Sequence, residues 1–450
     1  MMQAESLYQL FTQSSGICTD TRNLEKGNIF FSLKGQNFNG NQFALQALEA
    51  GASHAVMDEN LFPDQENVIL VEDVLKTLQR LANQHRKQIN GKVIAICGSN
   101  GKTTTKELCR AVLETSFKTV ATKGNLNNQI GVPLTLLSIP KETEMAVIEM
   151  GASHLSETAA LCEIAEPDHG IITNNGKDHL EGYENEEGVR NGNGELFNYL
   201  KKKKGVAFVS TAQKDLLEMS ADLKRMTYGS SDDSDIVGKI TGSFPFLKVE
   251  IMNREKDKVS WGLATGDWKL KTAGEDGEII IQTQLAGSYN FENVMAAACI
   301  GKFFGVPMKK IEEAISSYCP SMNRSQVLNQ DGNTFILDAY NANPSSMQAA
   351  VESFALIPKD HKIVIAGDML ELGDHSAAEH REILQLINEN NFEKRIFIGP
   401  EFGKVFTSNN HSLHFNTVFE LKDWFKEQKF SDYYFLLKGS RLIELEKLLV

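Results

Sequence analysis

Lys92-Val-Ile-Ala-Ile-Cys97-Gly98-Ser-Asn-Gly101-Lys102-Thr103-Thr104 is the stretch whose reading decides the fold. Its first six residues are a mostly apolar run of strand length. Gly98 to Gly101 can only be a loop. From Lys102 onward Leu108, Ala111, Val112 and Thr115 recur at helical spacing. The order is strand, glycine loop, helix. Such a loop turns successive backbone N–H groups inward at a helix N-terminus, which suits phosphate oxygens. Lys102 adds a cation for the β- and γ-phosphates, and Thr103 a hydroxyl for Mg²⁺. Ile96 stands where the longer GxxxxGK[ST] form has its first glycine, so placement between strand and helix carries the reading.

Outward from this unit, Met145-Ala-Val-Ile-Glu149 and Gly170-Ile-Ile-Thr173 read as further buried strands, each running into polar residues. Alternating strands and helices predict a parallel sheet whose ligands gather at the carboxyl ends of the strands. Between Ser230 and Leu285 the texture alternates, as in Leu247-Lys-Val-Glu-Ile251 and Glu278 to Leu285, with glycine-rich turns between. This predicts an antiparallel extension. Upstream, Asn28 to Lys34 is a strand candidate, Gln42 to Gly51 a short helix, and the polar, basic Asn83 to Gly91 a linker. Beyond Pro320, strand candidates at 335–338, 362–366, 395–398 and 433–437 alternate with helices. The fold class is therefore α/β with three domains. They are a small mixed αβ domain over 1–85, a central P-loop parallel-sheet ATPase domain over 86–318, and a Rossmann-like open αβ domain over 319–450.

Composition excludes several classes. Of 450 residues 41% are hydrophobic and 23% charged, as in ordinary globular proteins. Lys plus Arg is 46 against 59 Asp plus Glu, a net charge of −13. That argues against nucleic-acid or membrane-surface binding, since both partners are polyanions. No run approaches the ~18 apolar residues that span a bilayer. Met1 to Gln13 has no basic or apolar leader, which predicts no signal peptide. Six scattered cysteines without a CxxC pair exclude common zinc frameworks and point to reduced thiols in a cytoplasm. Lys201 to Lys204 reads as a solvated helix end.

Five more constellations could carry chemistry. Thr122 to Pro133 holds Asn125, Asn127 and Asn128 in a stretch ill-suited to helix or strand, and could equally be a self-capping loop. Glu149 ends a strand near the phosphate loop, where a Mg²⁺ ligand or a helix cap belongs. His179, in Thr173 to Gly182, could be a metal ligand, an acid–base group or neither. Asn290 and Asn293 are three apart, so on a helix they share a face, to read an adenine edge or to cap. Arg324, Asp338-Ala-Tyr340-Asn341-Ala-Asn343-Pro344 and Gly367-Asp-Met-Leu-Glu371-Leu-Gly-Asp374 place polar residues at strand ends, as a ligand face or as turn chemistry.

Taken together, the set resembles the Mur ligase family, the ATP-dependent amide ligases of peptidoglycan synthesis. The resemblance runs from Cys18 to Arg441. It rests on Thr19-Asp-Thr-Arg22, Phe30 to Gly35, GSNGKTTT, TKGNLNNQIGVP, EMGA, HLEG, GSYNFEN, DAYNANP, GDMLELGDH and Leu437-Lys-Gly-Ser-Arg441. DAYNANP and GDMLELGDH match best the member that adds D-alanyl-D-alanine to UDP-N-acetylmuramoyl-tripeptide. The resemblance implies that the N-terminal domain holds the UDP part through Thr21 and Arg22. Gly98, Ser99, Asn100, Gly101, Lys102, Thr103, Thr104, Asn290, Asn293, Arg324 and Asp338 would bind ATP. Thr103, Glu149 and His179 would hold Mg²⁺. Thr122, Asn125, Asn128, Tyr340, Asn341 and Asn343 would face the other substrates. Lys102, Glu149, His179, Arg324 and Asp338 form the implied catalytic set, with an acyl-phosphate intermediate and domain closure that excludes water. A cytoplasmic monomer is expected.

One position departs from the family. A lysine just before the Gly-Glu of Gly188-Val-Arg-Asn-Gly-Asn193-Gly-Glu195 is usually carbamoylated, becoming a carboxylate for a second Mg²⁺. Here it is Asn193, a neutral amide. The acids of Gly182 to Glu187, Lys177 or Arg190 are conceivable substitutes. Two other readings compete: a folylpolyglutamate synthase-like ligase, against which DAYNANP and GDMLELGDH argue, and a nucleotide-binding protein without ligase activity, which only Asn193 supports.

Overall fold

A computed structural model describes residues 4–252, 278–408 and 411–449. Two compact units divide the chain. Met1–Ala95, Phe117–Ala152 and Ser156–His169 form one, and Ile96–Ser116, Ser153–Leu155 and Gly170–Val450 the other.

In the first unit, β1 (Ile17–Cys18), β2 (Ile29–Phe31), β3 (His54–Met57) and β4 (Val68–Leu70) form a four-stranded sheet in that order, every pair parallel. The short helix Ala44–Glu49 packs Ala44 and Ala47 against Phe30, Ala55 and Met57. Gly51, at φ +106°, ends it as expected.

The expected linker at Asn83 to Gly91 is not one. Helix α1 (Val74–Arg86) runs into its first four residues, ends at Arg86 and buries His85 and Arg86. Hydrogen bonds do here what apolar periodicity does elsewhere. His85 lies between Tyr8 Oη (3.1 Å) and Ile139 O (2.8 Å). Arg86 donates to the carbonyls of Ile89, Ala165 and Glu166 and pairs with Asp168 at 3.0 Å. A polar helix end can be core when its donors are satisfied.

Strand β5 (Lys92–Cys97) has the bounds read from the sequence, and the chain leaves the first unit within it, after Ala95. Also in the first unit, β6 (Thr119–Ala121) runs parallel to β7 (Met145–Glu149).

The second unit takes up helix α2 (Lys102–Glu114) after the glycine loop. It carries β8 (His169–Ile172, from Gly170 on), β9 (Val206–Ser210), β10 (Lys224–Gly229), β11 (Ile236–Gly242), β12 (Lys248–Met252) and β13 (Ile279–Gln282), neighbours in that order. β9, β10 and β11 pair in parallel, while β11–β12 and β12–β13 are antiparallel. That is the expected parallel sheet with its antiparallel extension. The glycine-rich turns expected between Ile251 and Glu278 lie outside the described residues. Helix α3 (Glu186–Lys203) ends on Lys204 at φ +58°, so the lysine run is a helix end. Helix α4 (Phe291–Phe303) is buried from Asn293 to Gly301, so it shows no polar face.

A six-stranded sheet completes this unit, in the order β14 (Gln326–Gln330), β15 (Asn333–Asp338), β19 (Tyr434–Lys438), β16 (Lys362–Gly367), β17 (Lys394–Ile398) and β18 (Ser412–Phe415). Only β14–β15 is antiparallel. Phe335, Leu337, Ile363, Ile365, Ile396, Ile398, Phe435 and Leu437 pack one core over it. The parallel register sets Asp338 and Ala366 beside Lys438, so three strands end at one edge. Helices α5 (Pro344–Ala355) and α6 (Ser376–Glu389) follow β15 and β16. The sequence reading lacked β14 and β18, the two edge strands, whose polar ends blur any apolar run.

Cys18, Cys97, Cys109, Cys162 and Cys299 are buried, and Cys319 is exposed. Burial pushes the Cys97 thiol up to about 12. Among the described residues, no helix is long and apolar enough to cross a membrane, and no group of three or more His, Cys, Asp or Glu could hold a metal ion.

Candidate active site

The loop after β5 is glycine where the backbone demands it. Gly98 (φ +116°) and Gly101 (φ +81°) lie in the left-handed region. A side chain at Gly98 would strike Thr173, and one at Gly101 would strike the Asn293 amide. Ser99 donates to Asp178 Oδ1 at 2.6 Å and accepts from Gly176 N–H at 2.9 Å. Asn100 N–H donates to Asn174 Oδ1 (3.1 Å), and Asn174 Nδ2 donates back to Asn100 O (3.1 Å). Asn343 Nδ2 reaches Asn100 Oδ1 at 2.9 Å. Lys102 folds over the loop, donating to the carbonyls of Gly98 and Ser99. Thr103 and Thr104 are buried in the first turn of α2.

Asn290 and Asn293 sit where α4 begins, and they touch each other. Asn293 Nδ2 donates to Asn290 Oδ1 at 2.9 Å and its Oδ1 accepts from Thr105 at 3.0 Å. Asn290 Nδ2 donates to Ser325 Oγ at 3.0 Å. Tyr289 Oη lies 3.0 Å from the same Ser325 Oγ and 3.5 Å from Asp338 Oδ2. Ser325 N–H donates to Asp338 Oδ1 at 3.2 Å, and Lys438 Nζ to Asp338 Oδ2 at 2.8 Å. Burial, helped by Asp338, raises the Tyr289 phenol well above its ordinary value, so it stays a donor. One hydrogen-bonded line thus joins the first turn of α2, directly after the glycine loop, to the end of β15. Ser325, Tyr289 and Lys438 in that line were not among the expected site residues. Lys438 and Tyr289 lay inside the quoted motifs. Ser325 had no signal beyond following Arg324.

Arg324 stacks on Tyr340, guanidinium carbon 3.9 Å from the ring centroid, and Arg441 lies 5.2 Å from the same centroid. Two guanidinium groups over one tyrosine ring make a cationic patch with an aromatic centre. Asn341 Oδ1 accepts from the next N–H, that of Ala342. Asn343 caps α5, accepting from Ser346 N–H at 2.9 Å.

His179 Nδ1 is 2.6 Å from Glu371 Oε2. That hydrogen bond holds the Glu371 carboxyl below its ordinary value. Lys177 Nζ lies 2.9 Å from Glu379 and 3.2 Å from Glu382, so its charge is already engaged. Asn193 is buried on α3. Its Nδ2 donates to Asn175 Oδ1 at 2.9 Å, and Asn175 Nδ2 to Asp215 Oδ2 at 2.6 Å. Beside them a cavity of ≈ 640 Å³ is lined by Glu186, Glu187, Arg190, Asp215 and others.

The first unit carries the remaining residues. Glu149 is buried at the end of β7; its N–H donates to Thr122 Oγ1 (3.0 Å), and its Oε1 accepts from Asn127 Nδ2 (2.8 Å). Gly151 leaves no room for a side chain against Asn127. Asn127, not Asn125 or Asn128, therefore holds the carboxylate. Asn128 Oδ1 accepts from Ile130 and Gly131 N–H, and Gly131 to Pro133 already belong to a helix, Gly131–Leu137. That part of the expected loop is corrected: Pro is tolerated in a first turn. Thr21 and Arg22 form an exposed turn capped by Asp20, whose carboxyl the Arg22 guanidinium holds down at about 2.

Comparison with known proteins agrees along nearly the whole chain. Residues 96–301 match the model of the Mur ligase middle domain, and 323–412 that of the Mur ligase glutamate ligase domain. The UDP-N-acetylmuramoyl-tripeptide:D-alanyl-D-alanine ligase of Bacillus subtilis (strain 168) is 32% identical over 445 residues, covering 96% of this chain and 92% of its own length. The Escherichia coli (strain K12) ligase of the same name is 30% identical over 437 residues, covering 96% and 92%. A crystal structure of MurF from Acinetobacter baumannii superposes with a TM-score of 0.84 at 27% identity, over 98% of this chain and 97% of that one. A glycine loop between strand and helix, a strand-end edge tied to the helix that follows it, and relatives aligned over most of both chains converge: the chain belongs to the Mur ligase family.

Proposed function

We propose that this chain is an ATP-dependent ligase that joins D-alanyl-D-alanine to UDP-N-acetylmuramoyl-tripeptide, releasing ADP and phosphate for peptidoglycan precursor synthesis. The observation that carries it is the hydrogen-bonded line from Thr105, in the first turn of α2 directly after the glycine loop, through Asn293, Asn290 and Ser325 to Asp338. It sets a triphosphate-binding loop and a strand-end ligand face in one framework, in a chain whose full-length relatives carry this name.

A carboxylate does not form an amide in water without activation. A tripeptide carboxylate oxygen attacks the γ-phosphorus of ATP, the bond to the ADP oxygen breaks, and an acyl phosphate forms. The dipeptide amine then attacks the acyl carbon, and the tetrahedral intermediate expels phosphate. The first step brings two anions together, so cations must offset their repulsion. In our reading Lys102 and Arg324 supply two of them. Loop N–H groups hold the phosphates, Asn290 and Asn293 hold the loop, and Asp338 faces the nucleotide. Thr103, Glu149 and His179 would hold Mg²⁺; a hydroxyl, a carboxylate and an imidazole suit a divalent cation. Bound there, Mg²⁺ would neutralise phosphate charge. Thr21 and Arg22 would meet the UDP end. Thr122, Asn125, Asn128, Tyr340, Asn341 and Asn343 would meet the peptide ends, with Arg324 and Arg441 drawing a carboxylate toward Tyr340. Domains at 1–85, 86–318 and 319–450 would divide these tasks in a cytoplasmic monomer.

The test is phosphate release by the purified chain with ATP and Mg²⁺, with both carbon substrates and with each omitted. We expect release only when both are present. ATP binding without release under any condition would overturn the reading in favour of an inactive nucleotide-binding protein.

A further inference from the structure

His179 and Glu371 are non-glycine residues that both adopt the left-handed backbone region, at φ +47° and +62°. Strain of this kind persists only where the surroundings impose it, and it collects at functional sites. The two side chains meet there, His179 Nδ1 to Glu371 Oε2 at 2.6 Å. The Glu371 side chain is 60% exposed, and an ion pair that open to water adds little stability. The contact is therefore poorly explained as a stabilising salt bridge.

Its geometry has a chemical meaning. A carboxylate accepting from Nδ1–H fixes the imidazole tautomer and leaves the lone pair on Nε2. Histidines that ligate metals are held in this way by a carboxylate or carbonyl. The two residues come from different parts of the fold. His179 follows β8, whereas Glu371 follows β16 of the six-stranded sheet. Several contacts hold the two loops together. Glu181 N–H donates to Glu371 O at 3.3 Å, and His375 Nε2 lies 3.1 Å from Glu184 O. Lys177, two residues before His179, also meets the helices that flank the Glu371 loop: its N–H donates to Ser345 Oγ on α5 at 2.6 Å, and its ammonium spans Glu379 and Glu382 on α6.

We propose that Glu371 is the positioning residue of His179: delivered by the six-stranded sheet, it orients the imidazole so that Nε2 faces a divalent cation, and the cation site is complete only when the two loops are docked. This rests on the reading of His179 as a metal ligand.

The experiment uses the full chain with a non-hydrolysable ATP analogue and Mn²⁺ as probe. Mn²⁺ affinity is read by electron paramagnetic resonance, and the His179 tautomer by ¹⁵N shifts of selectively labelled histidine. Glu371→Ala should weaken Mn²⁺ about 10-fold or more and shift the His179 ¹⁵N signals. Glu371→Gln keeps an acceptor and should restore most of both. Lys177→Ala removes a docking contact without touching the imidazole and should leave the tautomer signature in place. Wild-type Mn²⁺ affinity in Glu371→Ala, with His179→Ala weakened, would overturn the proposal and leave His179 as a ligand. Unchanged affinity in His179→Ala would overturn the metal reading itself. A Lys177→Ala shift as large as that of Glu371→Ala would assign the effect to docking alone and overturn the role of Glu371.

Discussion

The Lys438 ammonium lies 2.8 Å from the Asp338 carboxylate, with the lysine side chain only 4% exposed. Adjacent parallel strands put the two side by side at their ends. Asp338 thus has a fixed counter-charge that no solvent ion needs to supply. Removing one partner of a buried pair leaves the other charge uncompensated, which costs far more than the pair contributes. Lys438→Met should destabilise the protein by ~3 kcal/mol, read by urea unfolding, and weaken ATP binding as Asp338 loses its orientation. Wild-type stability in that variant would show that Asp338 finds another partner.

Gly101 has no room and the wrong backbone angle for any other residue. Gly101→Ala forces a methyl against the Asn293 amide and strains a left-handed backbone by ~1 kcal/mol or more. Both effects reach the loop, so nucleotide affinity measured by calorimetry should fall at least about 10-fold, equivalent to ~1.4 kcal/mol. Thermal stability should fall far less than in a core variant. Unchanged affinity would mean that the loop's shape does not set nucleotide binding.

His169 is buried at the start of β8, and burial lowers its pKa from 6.5 to about 4, with Asp168 opposing. The folded value is the lower one. Its contribution is therefore fully present above pH 6.5 and is lost as pH falls from there toward about 4, while the unfolded chain binds the proton first. The wild type should lose up to ~3 kcal/mol over that window, and His169→Gln should lack this part of the slope. Parallel pH–stability curves for the two would disprove it.

Asn193 donates to Asn175 instead of carrying an amine. An amide nitrogen does not react with carbon dioxide, so no carboxylate can be built at this position. Turnover should be indifferent to bicarbonate, and its Mg²⁺ dependence should change in Asn193→Lys. A rate that falls in carbon-dioxide-free buffer, or identical Mg²⁺ dependence in the two proteins, would count against this.

Much of this arrangement could be read from the chain before folding. β5 and β7 appear with the expected bounds because each is an apolar run closed by polar or glycine residues. Asn290 and Asn293 share a face as their spacing requires. What spacing cannot carry is partnership across the chain. Thr105 meets Asn293 188 positions away, and Lys438 meets Asp338 through a strand register 100 residues apart. The buried end of α1 was missed for a related reason. Its basic residues are core only because carbonyls from distant segments satisfy them.

Because five of the six thiols are sealed in the interior, the molecule comes with a single chemical handle. Cys319 sits on the stretch between the middle part of the chain and the six-stranded sheet, its Sγ 2.9 Å from Gln284 Oε1. A thiol-reactive fluorophore should attach there and almost nowhere else while the fold is intact. The native protein can thus be tagged at one defined point with no engineered cysteine, and slow labelling of the other five would time its opening.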